Sequence, residues 1–151
     1  MAEHKAIIEW ECGGGFAENS YSRAHAWRFD GGAVVPASSS PSVVPLPMSD
    51  PAGVDPEEAL VAAASSCHML WFLHLAREGG FVVLRYRDEA AGTMGKNERG
   101  RMAIVRIALR PSVAFAGPAP GEETLAHLHR EAHERCFIAN SLCCEIVVEP
   151  L

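Results

Sequence analysis

The sequence lacks the short motifs that identify many enzymes and metalloproteins. It contains no Gly-x-Gly-x-x-Gly fingerprint, no phosphate-binding loop, no Gly-x-Ser-x-Gly elbow and no Cys-x-x-Cys pair. These absences disfavour a dinucleotide-binding protein, a serine hydrolase of the common type and a zinc site built from paired Cys-x-x-Cys motifs. The net charge is −6 and there is no basic stripe, so nucleic acid is not an expected partner.

The N-terminus also lacks a basic region followed by an apolar run, so no secretion signal is expected. With 151 residues and a hydrophobic content of 48%, the chain is predicted to form one globular domain over residues 1–151. Five cysteines without a secretion signal favour the reducing cytoplasm. In that compartment, thiols that are reactive or simply buried are expected rather than a disulfide scaffold.

The pattern of apolar residues and turn signals predicts an α+β fold in which helices cover an antiparallel sheet. A proline- and serine-rich loop, residues 36–54, has no periodicity, and a loop of this length often covers a site or a partner. A phase slip near Val105 and Arg106 indicates a β-bulge. The predicted elements are, in order, strands over 6–10, 21–29 and 33–35, a helix over 55–78, strands over 81–94 and 101–115, a helix over 122–136 and a strand over 145–148.

The first predicted helix has an N-cap at Asp55, and Gly79 and Gly80 end it. Residues 59–76 contain no Asp, Glu, Lys or Arg, which raises the question of a membrane span. The run contains two serines and two histidines and much of it is alanine, so a core helix buried on most sides is the preferred interpretation.

Two cysteines lie on or beside the predicted helices, Cys67 in the first and Cys136 at the end of the second. A cysteine peroxidase needs a thiolate, a donor that stabilises the leaving oxygen, and a second cysteine that traps the sulfenic acid. Cys67 and Cys136 suit this chemistry, although sequence spacing alone does not show that they meet. The alternative is that each is a small buried hydrophobe.

Other residues suggest weaker interpretations. His129 and His133 share a helix face and, with Cys136, could bind zinc. His68 directly follows Cys67, and neighbouring residues on a helix do not face each other, so His68 is a poor base for that thiol. The remaining cysteines are expected to have no chemical role: Cys12, Cys143 and Cys144.

The chain resembles the OsmC/Ohr family, the osmotically inducible protein C and organic hydroperoxide resistance proteins. The matching stretches are residues 55–60 (DPEEAL), 66–68 (SCH) and 132–141 (AHERCFIANS). The resemblance implies an OsmC-like fold, with antiparallel sheets wrapped around two central helices in an intertwined homodimer. The loop over 36–54 and the segment over 21–25 depart from the best-known hydroperoxide-resistance pattern, which indicates a less studied branch.

The resemblance also implies roles for particular residues. Cys67 matches the peroxidatic cysteine, Cys136 the resolving cysteine, and Glu57 the glutamate that orients a catalytic arginine. Arg23 is the preferred arginine and Arg28 the second candidate. On one straight helix, ten residues place Glu57 about 15 Å from Cys67 and roughly 80° around the axis. Either the helix breaks between them or a partner chain supplies one of the two.

The expected function is therefore a thiol-dependent peroxidase for organic hydroperoxides, with no bound cofactor. An external dithiol, whether a lipoyl protein, thioredoxin or a small thiol, would reduce its disulfide. Two other functions remain open: a non-catalytic protein that binds an apolar ligand on the same scaffold, and a zinc-binding protein. Neither nucleic acid nor a membrane is an expected partner.

Overall fold

The computed structural model describes residues 1–151, and the chain divides into two compact units, residues 1–59 and 60–151. The α+β class is confirmed, while the prediction of a single domain stays a prediction. The helices are α1 (Pro56–Glu78), α2 (Glu122–Arg135) and a 3₁₀ turn (Ala139–Ser141). The strands are β1 (Ala6–Glu9), β2 (His25–Phe29), β3 (Val34–Ala37), β4 (Val82–Asp88), β5 (Ala91–Lys96), β6 (Met102–Leu109), β7 (Pro111–Ala116) and β8 (Glu145–Val148).

The first unit contains a three-stranded antiparallel sheet in the order β1-β2-β3. β2 begins at His25, so the predicted strand over 21–29 was too long. Residues preceding it belong to a loop, because the backbone N–H of Arg23 donates to the Met48 carbonyl at 2.7 Å instead of joining a strand ladder. The backbone at Gly53 passes close to the end of β3. Only glycine permits this approach, because a Cβ there would lie 2.9 Å from the Ala37 carbonyl carbon.

The start of α1 follows from its sequence, as predicted. The Asp55 carboxylate accepts from the Glu58 backbone N–H at 2.7 Å, and the Glu58 carboxylate accepts from the Asp55 N–H at 3.2 Å. This reciprocal capping box satisfies two backbone donors that the first helical turn leaves free. The helix ends before Gly80, whose φ of 79° is left-handed.

The second unit is built on one long hairpin with a break in each arm. Two long strands were predicted, but each divides in two, so that β4 pairs with β7 and β5 with β6. At the break, Asp88 is the last residue of β4, and its carboxylate accepts from the Arg110 backbone N–H at 2.6 Å. The predicted bulge is confirmed, since Thr93 pairs with Arg106 and Met94 with Ile104, which leaves Val105 unpaired.

The strand β8 adds to the edge of β6 in parallel, and all the other strand pairs are antiparallel. One core cluster joins α1 to α2 through the buried residues Phe72, Leu75, Ala76, Leu128 and Ala132. A second cluster joins α1 to the sheet through Ala64, Ile107 and Leu109. The helix α1 is thus the element that both clusters share.

The expectation that α1 is buried on most sides was wrong for the single chain. Its buried residues form one face, and Leu70 on another face is 61% exposed. By length and composition alone α1 could cross a membrane, but one such helix is weak evidence, because a core helix passes the same test. The single chain therefore leaves an apolar surface of α1 uncovered.

A pair of buried histidines bridges α1 and α2. Nε2 of His68 and Nδ1 of His129 lie 3.1 Å apart, and the two rings stack at an interplanar angle of 7°. Burial, with smaller contributions from His129 and His133, lowers the pKa of His68 to about 4. Burial also lowers the pKa of His129 to about 4, against an opposing effect of Asp88. Both histidines are therefore neutral at pH 7.

The histidine pair makes stability depend on pH. As pH falls below about 6.5, the unfolded chain protonates these histidines, while the folded chain keeps them neutral down to about 4. Proton uptake in that window therefore favours the unfolded state. We expect the free energy of unfolding to fall by on the order of 3 kcal/mol between about pH 7.5 and pH 5, measured by urea denaturation.

The exposed His127 on the same helix supplies the control, because His127→Ala should leave this pH dependence unchanged. Equal stability at the two pH values would show that the buried pair does not titrate as described.

Candidate active site

The structure places Cys67 and Cys136 beside each other, close enough for Cys67 to raise the pKa of the Cys136 thiol. Cys67 is half-buried in the middle of α1, and Cys136 is 1% exposed. Cys136 is the first residue beyond α2, where its backbone N–H donates to the His133 carbonyl at 3.2 Å. The sequence predicted both positions but not their proximity, which depends on how α2 packs against α1.

The environment of Cys136 keeps its proton in place. Burial, with a smaller contribution from Cys67, raises the pKa of Cys136 to about 11, and a backbone N–H from Ala139 opposes the shift. That N–H donates to the Cys136 sulfur at 3.4 Å. At neutral pH Cys136 is therefore a protonated thiol.

Apolar rings lie beside the cysteine pair. Trp71 is one turn beyond Cys67 on α1, Phe137 directly follows Cys136, and the two rings meet edge to face with centroids 5.6 Å apart. Phe137 is 70% exposed. The guanidinium of Arg135 lies 5.9 Å from the Trp71 ring. Trp71 and Phe137 thus form an apolar contact between α1 and the turn that follows α2.

Glu57 and Arg23 line one cavity in the first unit, with a volume of about 270 Å³. Glu57 is half-buried and forms no ion pair. The Arg23 guanidinium lies 3.5 Å from the Tyr21 ring centroid and donates to Oδ1 of Asn19 at 2.9 Å. Arg23 and Glu57 therefore share a cavity without direct contact. The second candidate, Arg28, does not line this cavity and pairs with Glu9.

His25 lines the same cavity and was missed in the sequence analysis. The indole N–H of Trp27 donates to its Nε2 at 2.9 Å, so that nitrogen is an acceptor. The proton is then on Nδ1, which donates to the Arg23 carbonyl at 2.8 Å. His25 thus helps to fix the backbone of the preferred arginine. No sequence signal indicates this, because a histidine at the start of a strand has no characteristic pattern.

Glu57 and Cys67 do not meet within one chain. The helix α1 is continuous from Pro56 to Glu78, so the predicted separation of about 15 Å along its axis applies. Of the two possibilities raised by the sequence, a break in the helix is therefore wrong.

The histidines proposed as zinc ligands are arranged differently. His129 contacts His68, and no group of three or more His, Cys, Asp or Glu side chains is placed to hold a metal ion. His68 directs Nε2 at His129, while its buried Nδ1 has no hydrogen-bond partner. Cys12 and Cys143 are exposed.

Comparisons with known proteins agree with this fold. A family model described as OsmC-like protein matches residues 49–150. An OsmC-like protein of unknown function from Vibrio cholerae has a similar structure, with 49% identity and a TM-score of 0.97, and the match covers 100% of each chain. No curated protein sequence matches the chain.

More distant structures share the fold alone. The organic hydroperoxide resistance protein of Elizabethkingia anophelis has 16% identity and a TM-score of 0.69, covering 99% of this chain and 94% of that one. The organic hydroperoxide resistance protein OhrB of Bacillus subtilis has 17% identity and a TM-score of 0.66, covering 99% and 98%. Together with the match over residues 49–150, the similarity to the Vibrio protein shows that the chain belongs to the OsmC family, which includes organic hydroperoxide resistance proteins.

Proposed function

We propose that this protein is a cytoplasmic cysteine peroxidase that reduces organic hydroperoxides and uses no bound cofactor. The observation that carries the proposal is the proximity of Cys67 and Cys136, one half-buried and one fully buried. A protein that only binds an apolar ligand needs neither thiol. The presence of hydroperoxide resistance proteins in the family supports the same chemistry.

In the first step, the Cys67 thiolate attacks the terminal oxygen of the hydroperoxide. The O–O bond breaks, an S–O bond forms, and Cys67 becomes a sulfenic acid while the alkoxide leaves and takes up a proton to become the alcohol. Arg23 stabilises the departing alkoxide as a charged donor. For this step the Arg23 guanidinium turns from Asn19 towards Glu57, which then orients it through paired hydrogen bonds that a lysine would not reproduce.

In the second step, the sulfur of Cys136 attacks the Cys67 sulfenic acid. The S–O bond breaks, the disulfide forms, and the Cys136 proton leaves with the hydroxyl group as water. An external dithiol then reduces the disulfide by thiol exchange. The chemistry is the same for a lipoyl protein, thioredoxin or a small thiol.

The apolar rings beside the pair support an organic substrate. Trp71 and Phe137 form an edge-to-face contact, and Phe137 is largely exposed. Their apolar surface can bury the alkyl part of a hydroperoxide, a contribution that hydrogen peroxide cannot obtain.

The active form is a homodimer in which one chain supplies Cys67 and Cys136 and the other supplies Arg23 and Glu57. Two observations support this arrangement. The unbroken α1 holds Glu57 about 15 Å from Cys67 of its own chain. The same helix leaves an apolar face uncovered, with Leu70 61% exposed, which a second copy would bury.

Cysteine variants test the chemical roles. We expect Cys67→Ser to lower the rate of hydroperoxide consumption by roughly three orders of magnitude or more, because the hydroxyl is a far weaker nucleophile. Cys136→Ser should complete one turnover and then accumulate Cys67 in over-oxidised forms, read by intact mass. The exposed Cys143 gives the control, and Cys143→Ser should behave as the wild type.

Peroxide consumption by Cys67→Ser at the wild-type rate would overturn the peroxidase proposal. Continued cycling of Cys136→Ser with a dithiol would show that Cys136 is not the resolving thiol.

Mixed dimers test which chain supplies each residue. We expect Cys67→Ser and Arg23→Ala to be nearly inactive alone, but their co-refolded mixture should recover about a quarter of wild-type activity. Half of the dimers are then mixed, and each mixed dimer has one intact site. A mixture of Cys67→Ser with Cys67→Ala should recover none, and Arg28→Ala should remain active alone.

If all site residues came from one chain, no mixed dimer would contain an intact site. A mixture that stays inactive, while size-exclusion chromatography shows dimers, would therefore contradict the shared site.

A further inference from the structure

We propose that Asn140 is a positioning residue that holds Cys136 where its sulfur can trap the Cys67 sulfenic acid. The inference rests on the proposed peroxidase function and adds to it a determinant of disulfide formation. Asn140 lies four residues beyond Cys136, in the 3₁₀ turn that follows α2.

The side-chain amide of Asn140 joins the end of α2 to the turn after it. Its Nδ2 donates to the carbonyl of Glu134 at 2.9 Å and to the carbonyl of Cys136 at 3.1 Å. The backbone N–H of Asn140 also donates to the Cys136 carbonyl, at 3.0 Å. Both side-chain partners are carbonyls, which only accept, so they fix the orientation of the amide with Nδ2 towards them.

The end of α2 needs such a contact. The last carbonyls of a helix have no partner within the helix, and glycine in a left-handed conformation commonly helps to satisfy them. Here Cys136 occupies the C-cap with an extended backbone, at φ −66° and ψ 113°, and no glycine follows it. Asn140 supplies the missing donors from a distance, and in doing so it fixes the backbone from which the Cys136 side chain projects.

The Cys136 sulfur is held by the same turn. The backbone N–H of Ala139, the neighbour of Asn140, donates to it at 3.4 Å. Asn140 therefore ties down the carbonyl of Cys136, while the residue before it contacts the thiol. A change at Asn140 alters the position of both the main chain and the sulfur of Cys136 without removing any atom of the cysteine pair.

The position of this sulfur decides between two fates of the sulfenic acid. Attack by Cys136 gives the disulfide and water, whereas a second hydroperoxide adds another oxygen to Cys67 and leaves as the alcohol. Burial keeps the pKa of Cys136 at about 11, so only a small fraction is thiolate and its attack depends strongly on proximity. Loss of the contact from Asn140 therefore favours over-oxidation.

The test compares Asn140→Ala and Asn140→Asp with the wild type in the full-length protein. Each variant is oxidised with graded amounts of cumene hydroperoxide, and intact mass gives the ratio of sulfinic acid to disulfide. We expect this ratio to rise roughly fivefold, the size of effect that one net hydrogen bond has on an equilibrium or a rate. The rate of the first oxidation should stay within about twofold of the wild type, because Asn140 has no role in that step.

Asn97 supplies the matched control. Its side-chain oxygen accepts from the backbone N–H groups of Arg99 at 3.0 Å and Arg101 at 3.1 Å, in the turn between β5 and β6. Asn97→Ala removes a comparable turn-holding side chain and should destabilise the protein without changing the ratio of sulfinic acid to disulfide.

An unchanged ratio in Asn140→Asp, which keeps the volume of the side chain but loses its donors, would overturn the inference even if Asn140→Ala failed to fold. An equal rise in Asn97→Ala would also overturn it, since general destabilisation would then explain the effect. If the wild type forms no disulfide, the proposed function fails; if only the variant ratios are unchanged, this inference alone fails.

Discussion

The contact between Cys67 and Cys136 lies where α1 and α2 meet, and the rest of the second unit brings these two cysteines together. The core cluster around Phe72 and Leu128 fixes the helices against each other. The His68–His129 contact adds a polar link between the same helices. Burial at this junction also keeps the proton on Cys136 at neutral pH.

The helix α1 imposes a second constraint. It carries Cys67 near its middle and Glu57 in its first turn, and its continuity keeps them apart within one chain. Arg23 shares a cavity with Glu57, and His25 holds the Arg23 backbone. One chain thus contains both the cavity of Arg23 and Glu57 and the cysteine pair, and it leaves an apolar face of α1 uncovered.

Features that depend on local chemistry could be predicted from the sequence. The capping box at Asp55, the glycines after Glu78 and the phase slip at Val105 each act through neighbouring residues. The division of the long strands could not be predicted. At the break, the Asp88 carboxylate contacts the backbone of Arg110, a residue on the opposite arm of the hairpin. Periodicity does not report such contacts.

The candidate site shows the same limit. Cys67 and Cys136 were identified by residue type and by family resemblance, but only the packing of α2 on α1 brings them into contact. Asn140 lay within a matching stretch and was given no role, because its function depends on carbonyls that become its partners only after the helix has formed. The position of Arg23 in the same cavity as Glu57 likewise depends on the fold of the loop before β2.

The most direct test of the peroxidase chemistry is to mix the reduced protein with one equivalent of an organic hydroperoxide and to measure its intact mass and disulfide map. A loss of two hydrogen atoms, with a peptide that joins Cys67 to Cys136, is the predicted result. An unchanged mass, or a disulfide between other cysteines, would contradict it and would favour a protein that binds an apolar ligand on the same fold.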